Sequence, residues 1–292
     1  MGAYAYEAPS NLSDAISLLD EHAKDGRRAQ LLAGGTDLLV QMRSVDNTPR
    51  TIIDIKKLAE TNRLEIGDDI FIGSAIASAE LNENEELKGL LPGLLEASDL
   101  IGSTQIQGRA TMGGNLCNSS PAGDSIPAMI AVGAICEVAG SGGHREIPVE
   151  EFVTGVGTNA LSENEILLGL KIKRPESNTR DAYLRFIPRT EMDIAVAGCG
   201  VSLTLDGSQC VEARVAIGAV APTALLVPEA AQALVGSQVD EAALLAAGEA
   251  CTSASSPISD KRGTAEFRQH TVAVIARRAA AIALSRASQH QV

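Results

Sequence analysis

Aromatic residues are scarce: three Tyr, four Phe and no Trp in 292 residues. The cores must therefore be built from Leu, Ile, Val and Ala. The aromatic platforms that stack single-stranded nucleic acid are largely missing. Positive charge is also in short supply. A formal net charge of −13 argues against nucleic acid as a partner, because affinity there comes mainly from Lys and Arg on phosphates. It equally disfavours an anionic membrane surface. The five cysteines, at 117, 136, 199, 210 and 251, are odd in number and none has a CxxC neighbour. That excludes a disulfide framework and a zinc or iron–sulfur motif, and reduced thiols in a cytoplasm are the simplest reading. The histidines (His22, His144, His270 and His290) are scattered without metal-ligand spacing. There is no Ser–His–Asp arrangement and no G-x-S-x-G. No apolar stretch reaches the ~18 residues needed to span a bilayer. The opening Met1–Glu7 has neither a basic region nor an apolar run, so no signal peptide is expected. Chemistry by this chain's own side chains is poorly supported, and a bound redox cofactor is the better source of it.

What the chain does have is glycine in two matched loops. One is Leu31-Leu32-Ala33-Gly34-Gly35-Thr36-Asp37-Leu38-Leu39. The other is Ala110-Thr111-Met112-Gly113-Gly114-Asn115-Leu116-Cys117-Asn118, running on to Gly123-Asp124. Each pairs two glycines with a threonine and places a short polar side chain, Asp37 or Asn115, close behind. Glycine removes the Cβ that blocks close approach and permits positive φ. Successive backbone N–H groups then form an anion-binding concavity. Together the loops predict one phosphate-bearing ligand. Thr36 and Thr111 either bond its oxygens or cap their own turns, and the two uses are compatible. Asn115 either bonds a phosphate or closes an Asx-turn. Asp124 either accepts from a cofactor hydroxyl or ring N–H, or caps the helix that follows it. Cys117 reads as a small packing residue.

A second glycine pattern points elsewhere. Gly155-Val156-Gly157-Thr158-Asn159-Ala160 fits G-x-G-x-x-A, and Glu176 follows about 20 residues on, as the dinucleotide fingerprint asks. The context fails, because Glu150-Glu151-Phe152-Val153 is not a buried strand and Ile166 resumes strand character too soon. A Rossmann reading is set aside.

The length suggests two domains, at ~100–200 residues each. The pattern predicts strands over 4–8, 30–33 and 51–55, and hairpins over 63–73 and 134–148. A long strand is expected at 165–173. Helices are expected near 11–23, 37–43, 87–101 and 126–132, with 102–125 as an irregular loop. A boundary at the polar stretch 176–179 divides a first domain, 1–176, from a second, 177–292. The second should hold three antiparallel strands (180–187, 194–205 and 210–220) and then helices over 228–235, 241–250 and 264–287. The face of the last helix should carry Phe267, Thr271, Val274, Ile275 and Ile282.

The loop sequences closely resemble the two FAD loops of one family, the FAD-binding medium subunit of molybdenum hydroxylases of the xanthine dehydrogenase and carbon monoxide dehydrogenase type. Phe186-Ile-Pro-Arg-Thr-Glu-Met-Asp-Ile-Ala195, Gly218-Ala-Val-Ala-Pro-Thr223 and Phe267-Arg-Gln-His extend the resemblance almost end to end. It implies an α+β chain. Two α/β subdomains would form an FAD-binding region of the para-cresol methylhydroxylase type. A C-terminal domain would follow, with a three-stranded antiparallel sheet and a helical bundle.

The resemblance also implies roles. Leu31, Leu32, Ala33, Gly34, Gly35, Thr36, Asp37 and Leu38 would wrap the pyrophosphate and ribityl chain. Ile101, Gly102 and Ile106 would lie against the flavin and its linker. Ala110, Thr111, Gly113, Gly114, Asn115, Cys117 and Asn118 would hold the diphosphate and adenosine. Asp124 would accept from the cofactor, with Gly123 beside it where some relatives have Ser or Ala. Leu167 or Leu168 would pack on the adenine. Arg185 would stand near the flavin's polar edge, where relatives often have Lys. Ile194 would sit by the isoalloxazine, and it and Ile101 are aliphatic where some relatives have aromatics.

On this resemblance the chain is an electron-transfer subunit. Its FAD takes electrons from a partner's [2Fe-2S] clusters, fed by a molybdenum cofactor on a large subunit, and passes them to an external acceptor. The assembly would be a cytoplasmic dimer of heterotrimers. A self-contained FAD oxidoreductase and a non-catalytic scaffold are the alternatives.

Overall fold

The computed structural model describes residues 4–43, 48–189 and 192–289. Thr190 and Glu191, in the stretch the resemblance places by the flavin, lie outside them. Among the described residues the strands fall into four sheets.

The first sheet is parallel. It contains β1 (Tyr4–Glu7), β2 (Arg28–Leu32) and β3 (Arg50–Asp54), in the order β1-β3-β2. Helix α1 (Leu12–Lys24) joins β1 to β2, and α2 (Leu38–Gln41) follows the first glycine loop. Asn11 caps α1, its side chain accepting from the Asp14 N–H at 2.9 Å. One face of α1 buries Ala15 and Leu19 against Ile53. This places the C-terminal end of β2, and with it Gly34-Gly35, at the edge of the layer.

The second sheet is antiparallel and built around one long strand. Strands β4 (Leu64–Ile66) and β5 (Asp69–Gly73) come first, then helices α3 (Ser78–Asn82), α4 (Glu85–Leu90), α5 (Pro92–Asp99), α6 (Thr104–Gln107), α7 (Met112–Asn118) and α8 (Ser125–Ala131). Next come β6 (Ile135–Gly140), β7 (Gly143–Pro148), α9 (Val149–Phe152) and the hairpin β8 (Val153–Gly155)–β9 (Thr158–Asn159). The central strand β10 (Glu165–Lys173) completes the sheet in the order β4-β5-β10-β6-β7. Strand β10 is covered on both faces. Ile166 and Leu168 join the α1 core, whereas Leu167, Leu170 and Ile172 join the core under α3 to α8. Residues 167 and 170 share a face because a bulge between Leu167 and Gly169 shifts the register by one.

The expected irregular loop at 102–125 is corrected: it contains α6 and α7. Glycine lowers helix propensity at 113 and 114. Thr111 nonetheless caps α7, accepting from the Gly114 N–H at 2.8 Å, and Met112 and Leu116 are buried beneath it. Packing and a cap outweigh propensity here.

The third sheet orders β11 (Thr179–Phe186), β12 (Ala197–Asp206), β13 (Gln209–Gly218) and β14 (Leu225–Leu226) side by side. The expected three strands are therefore four, since the chain returns after Val220 and pairs Leu225 and Leu226 with Ile217 and Ala216. Helices α10 (Pro228–Leu234), α11 (Glu241–Ala254) and α12 (Ala265–Gln289) follow. The buried face of α12 is Thr271, Val272, Ile275 and the run Ala276, Ala279, Ala280, Ala283 and Ala287. Phe267 is exposed instead, and Val274 and Ile282 are half-buried. Small side chains let the helix lie close on β11 and β12, so volume rather than hydrophobicity selects this face.

The sheet of the C-terminal region meets the helical layer at the start of α5. A Cβ on Gly93 would fall 2.6 Å from the Ala182 backbone, so only glycine fits. Beside it the Asp181 carboxylate accepts from the Leu94 N–H at 2.8 Å. Arg286 of α12 reaches across to Glu96.

Candidate functional site

The first glycine loop leaves β2 and turns at Gly35, whose φ of +82° is open to glycine alone at low cost. Its carbonyl accepts from the Leu39 N–H at 3.0 Å and so starts α2. The second loop enters α7 from an isolated bridge between Ala77 and Thr111. The two loops meet backbone to backbone. A Cβ on Gly34 would stand 1.9 Å from the Arg109 carbonyl oxygen, and one on Gly113 would stand 2.6 Å from Ser74 Cβ. Across the gap the Gln41 side-chain amide donates to Asn118 Oδ1 at 3.1 Å, tying α2 to α7.

Between them lies a cleft of about 510 Å³. Leu31, Ala33, Gly34, Gly35, Thr36, Asp37 and Leu38 line it from the first loop. Ala110, Thr111, Gly113, Gly114, Asn115, Cys117 and Asn118 line it from the second, with Ile101 and Leu167. Asn115 is fixed from behind, since Ser125 Oγ donates to its Oδ1 at 2.8 Å. Thr111 Oγ1 accepts in the helix cap, a role that does not use its own O–H. Burial pushes the Cys117 thiol up to about 12, which keeps it protonated and unreactive.

The remaining sequence-derived positions lie outside this lining. Leu32 packs under the Gly35 turn. Gly102, with φ +65°, folds onto Ile106 at the entrance to α6. Gly123 presses on Asn115 and Ile126. Leu168 faces the α1 core with Ile166, two residues before it on the strand. Ile194 is exposed.

Asp124 and Arg185 form a separate cluster. Asp124 heads α8, but its side chain makes no cap bond. Its two oxygens accept from the Tyr183 hydroxyl at 2.9 Å and from Arg185 Nη1 at 2.5 Å. Burial raises the Asp124 carboxyl above its ordinary value, and Arg185 and Tyr183 oppose that shift. Tyr183 was not foreseen from sequence, and nothing in its local pattern marks it.

Sequence reasoning also missed part of the lining: Leu19, Arg28, Ala29, Gln30, Gln41, Ile55, Ser74, Gly157, Asn159, Leu161, Ser162, Glu163 and Glu165. Two of these, Gly157 and Asn159, belong to the G-x-G-x-x-A stretch set aside as a Rossmann fingerprint. That stretch is the β8–β9 hairpin, not a strand-turn-helix, so the Rossmann reading stays excluded, yet the segment walls the cleft. Nearby, Arg145 grips Glu165 with two bonds of 2.7 Å and lowers its carboxyl to about 2.

The lining suits a long ligand with a diphosphate in its middle. Glycine backbone, hydroxyl and amide groups supply the polar part of the lining, and the missing Cβ atoms at 34 and 113 make room for Arg109 and Ser74, which lets the loops close on one another. Aliphatic Ile55, Ile101, Leu161 and Leu167 add apolar surface to the same lining. Ser74 Oγ, buried and without a partner among the described residues, is a polar atom on this wall whose hydrogen bond is unmet there. Among the described residues, no group of three or more His, Cys, Asp or Glu is placed to hold a metal ion. None of their helices is long and apolar enough to cross a membrane.

Comparisons with known proteins agree with this geometry. Residues 2–175 match the family described as the FAD binding domain in molybdopterin dehydrogenase, and residues 182–283 match the CO dehydrogenase flavoprotein C-terminal domain. The chain is 33% identical to the xanthine dehydrogenase FAD-binding subunit of Escherichia coli O157:H7, over 92% of this chain and 91% of that one. It is also 33% identical to the carbon monoxide dehydrogenase medium chain of Afipia carboxidovorans, over 98% of each. A solved carbon monoxide dehydrogenase from Hydrogenophaga pseudoflava superposes with a TM-score of 0.91 at 32% identity, covering 97% of this chain and 98% of that chain.

Proposed function

The chain belongs to the family of FAD-binding medium subunits of molybdenum hydroxylases, and from that membership we infer that it is the flavoprotein subunit of a heteromeric molybdenum-containing dehydrogenase. The observation that carries the reading is the backbone contact of the two glycine loops at Gly34 and Arg109, which leaves one cleft between them.

When bound, FAD supplies one- and two-electron redox chemistry, so the subunit collects electrons from a partner's iron–sulfur clusters and delivers them to an external acceptor. The chain's own share is binding and orientation. Gly34 and Gly113 hold the loops in close contact, so that the backbone N–H groups of both loops would meet the diphosphate, with Thr36 and Asn115 beside it. Ile101, Leu161 and Leu167 would exclude water from the ring systems. The buried Asp124–Tyr183–Arg185 cluster fixes the end of the second loop against β11.

The finer parts of the reading rest on the family resemblance. The FAD region is of the para-cresol methylhydroxylase type, and the chain divides near residue 176. Its partners are a molybdenum-cofactor large subunit and an iron–sulfur small subunit, assembled in the cytoplasm as a dimer of heterotrimers.

An omission experiment tests the function. The complex prepared without this chain should still reduce an artificial dye that accepts directly from iron–sulfur clusters, but should fail to reduce its natural acceptor. Adding the FAD-loaded chain back should restore that step. Undiminished turnover with the natural acceptor in its absence would overturn the assignment.

A further inference from the structure

The β8–β9 hairpin is attached to the molecule in an unusual way. Its strands pair only with each other and join none of the larger sheets. At its base, Phe152 is fully buried and its carbonyl accepts from the Ala160 N–H at 2.9 Å. This closes the loop like a hinge. Beyond the base the tip is exposed, with Val156 66% accessible.

Two hydrogen bonds then pin the hairpin to the last turn of α7. The Gly157 N–H donates to the Ser119 carbonyl at 3.0 Å. Asn159 Nδ2 donates to the Cys117 carbonyl, also at 3.0 Å, while its Oδ1 accepts from the Leu161 N–H at 3.1 Å. The carbonyls at the end of a helix lack intrahelical partners and need donors from outside. Asn159 supplies one of them. Gly157, Asn159 and Leu161 line the cleft, as do Cys117 and Asn118. The Asn159 bond therefore lies within the wall of the cleft.

Resting on the assignment of this cleft to FAD, we propose that Asn159 is a positioning residue that latches the 153–159 hairpin into the wall of the cleft and so controls how fast FAD leaves. With only a two-strand ladder of its own, the hairpin sits at the low end of local stability, where opening is easy. Ligand in the cleft and the Asn159 bond both favour the closed form. Loss of that bond lowers retention without altering the glycine cradle or the aliphatic surface around the flavin.

The test uses the intact complex carrying Asn159→Asp. Aspartate keeps the acceptor for Leu161 but has no donor for the Cys117 carbonyl. FAD release, followed by the recovery of flavin fluorescence on dilution, should be at least roughly tenfold faster, since one lost hydrogen bond is worth about that factor and the carboxylate also repels the Cys117 carbonyl. In the flavin-free variant, hydrogen exchange should quicken in the 153–161 segment alone, whereas a merely structural role would quicken it well beyond that segment. Hydrogen exchange in the 153–161 segment should slow several-fold when FAD is added to wild type. Release at the wild-type rate, or exchange indifferent to FAD, would overturn the latch alone. A wild-type complex that holds no FAD would overturn the cofactor assignment itself, and the latch with it.

Discussion

Arg185 donates through Nη1 to the Asp124 carboxylate at 2.5 Å, and the two side chains are only 6% and 9% exposed. The pair joins β11 to the start of α8, just beyond the second glycine loop. Removing one partner of such a pair leaves a buried charge without compensation, at a cost of about 3–5 kcal/mol. Arg185→Met should therefore lower the free energy of urea unfolding by about that much. Adding Asp124→Asn to it should recover a large part of the loss. A double-mutant cycle with no coupling would show that the pair does not act as one unit.

Asp181 gives a pH signature with a definite sign. Burial pushes its carboxyl up from 3.8 to about 6, with only partial relief from backbone N–H groups of α5 and from Arg286. Between those values the folded protein binds more protons at this site than the unfolded chain does. Its contribution to stability therefore falls as pH rises from about 4 to about 6, then levels off. In Asp181→Asn that contribution is absent. The stability of the variant relative to wild type should climb by roughly 3 kcal/mol across that window. Unfolding titrations at several pH values check this, and a difference independent of pH would contradict it.

Gly34→Ala should be among the most damaging single-carbon changes. The added Cβ would need to share space with a main-chain oxygen, 1.9 Å away, and a backbone cannot rotate aside as a side chain can. The loops must part, so the complex should lose its FAD and at least about 2 kcal/mol of stability. Gly114→Ala is the milder comparison, because its Cβ would meet only the Thr111 hydroxyl at 2.9 Å. Flavin content per chain, measured on both variants, should rank them in that order.

Cys117 lines the cleft but should resist alkylation. Its thiol is raised to about 12 by burial, so almost no thiolate exists at pH 8. Iodoacetamide followed by peptide mass spectrometry should find it unmodified in the native complex and modified after denaturation. Labelling at the rate of a free thiol would contradict the structure.

Much of this site could be read from residues alone, because paired glycines with flanking Thr, Asn and Asp leave a local trace. The strands of the parallel layer and of the β10-centred sheet were also legible from short apolar runs and turns, but their order and direction were not. What stayed hidden was tertiary. The Gly155–Ala160 motif had the right glycines in the wrong surroundings, and only the fold brings Gly157 and Asn159 to Cys117. The burial of Ala276, Ala279 and Ala283 in place of Val274 and Ile282 follows from how close α12 lies to the sheet, a distance that periodicity does not encode. That Leu167 and Leu170 share a face depends on one bulge, which no residue pattern marks.

The most direct test is the cofactor inventory of the complex purified from its native host through a tag on this chain. The account predicts FAD near one per chain, with iron and molybdenum in the partner subunits and none in this one. A complex that carries the metals but no flavin, or FAD on this chain with no metal-bearing partner, would contradict it.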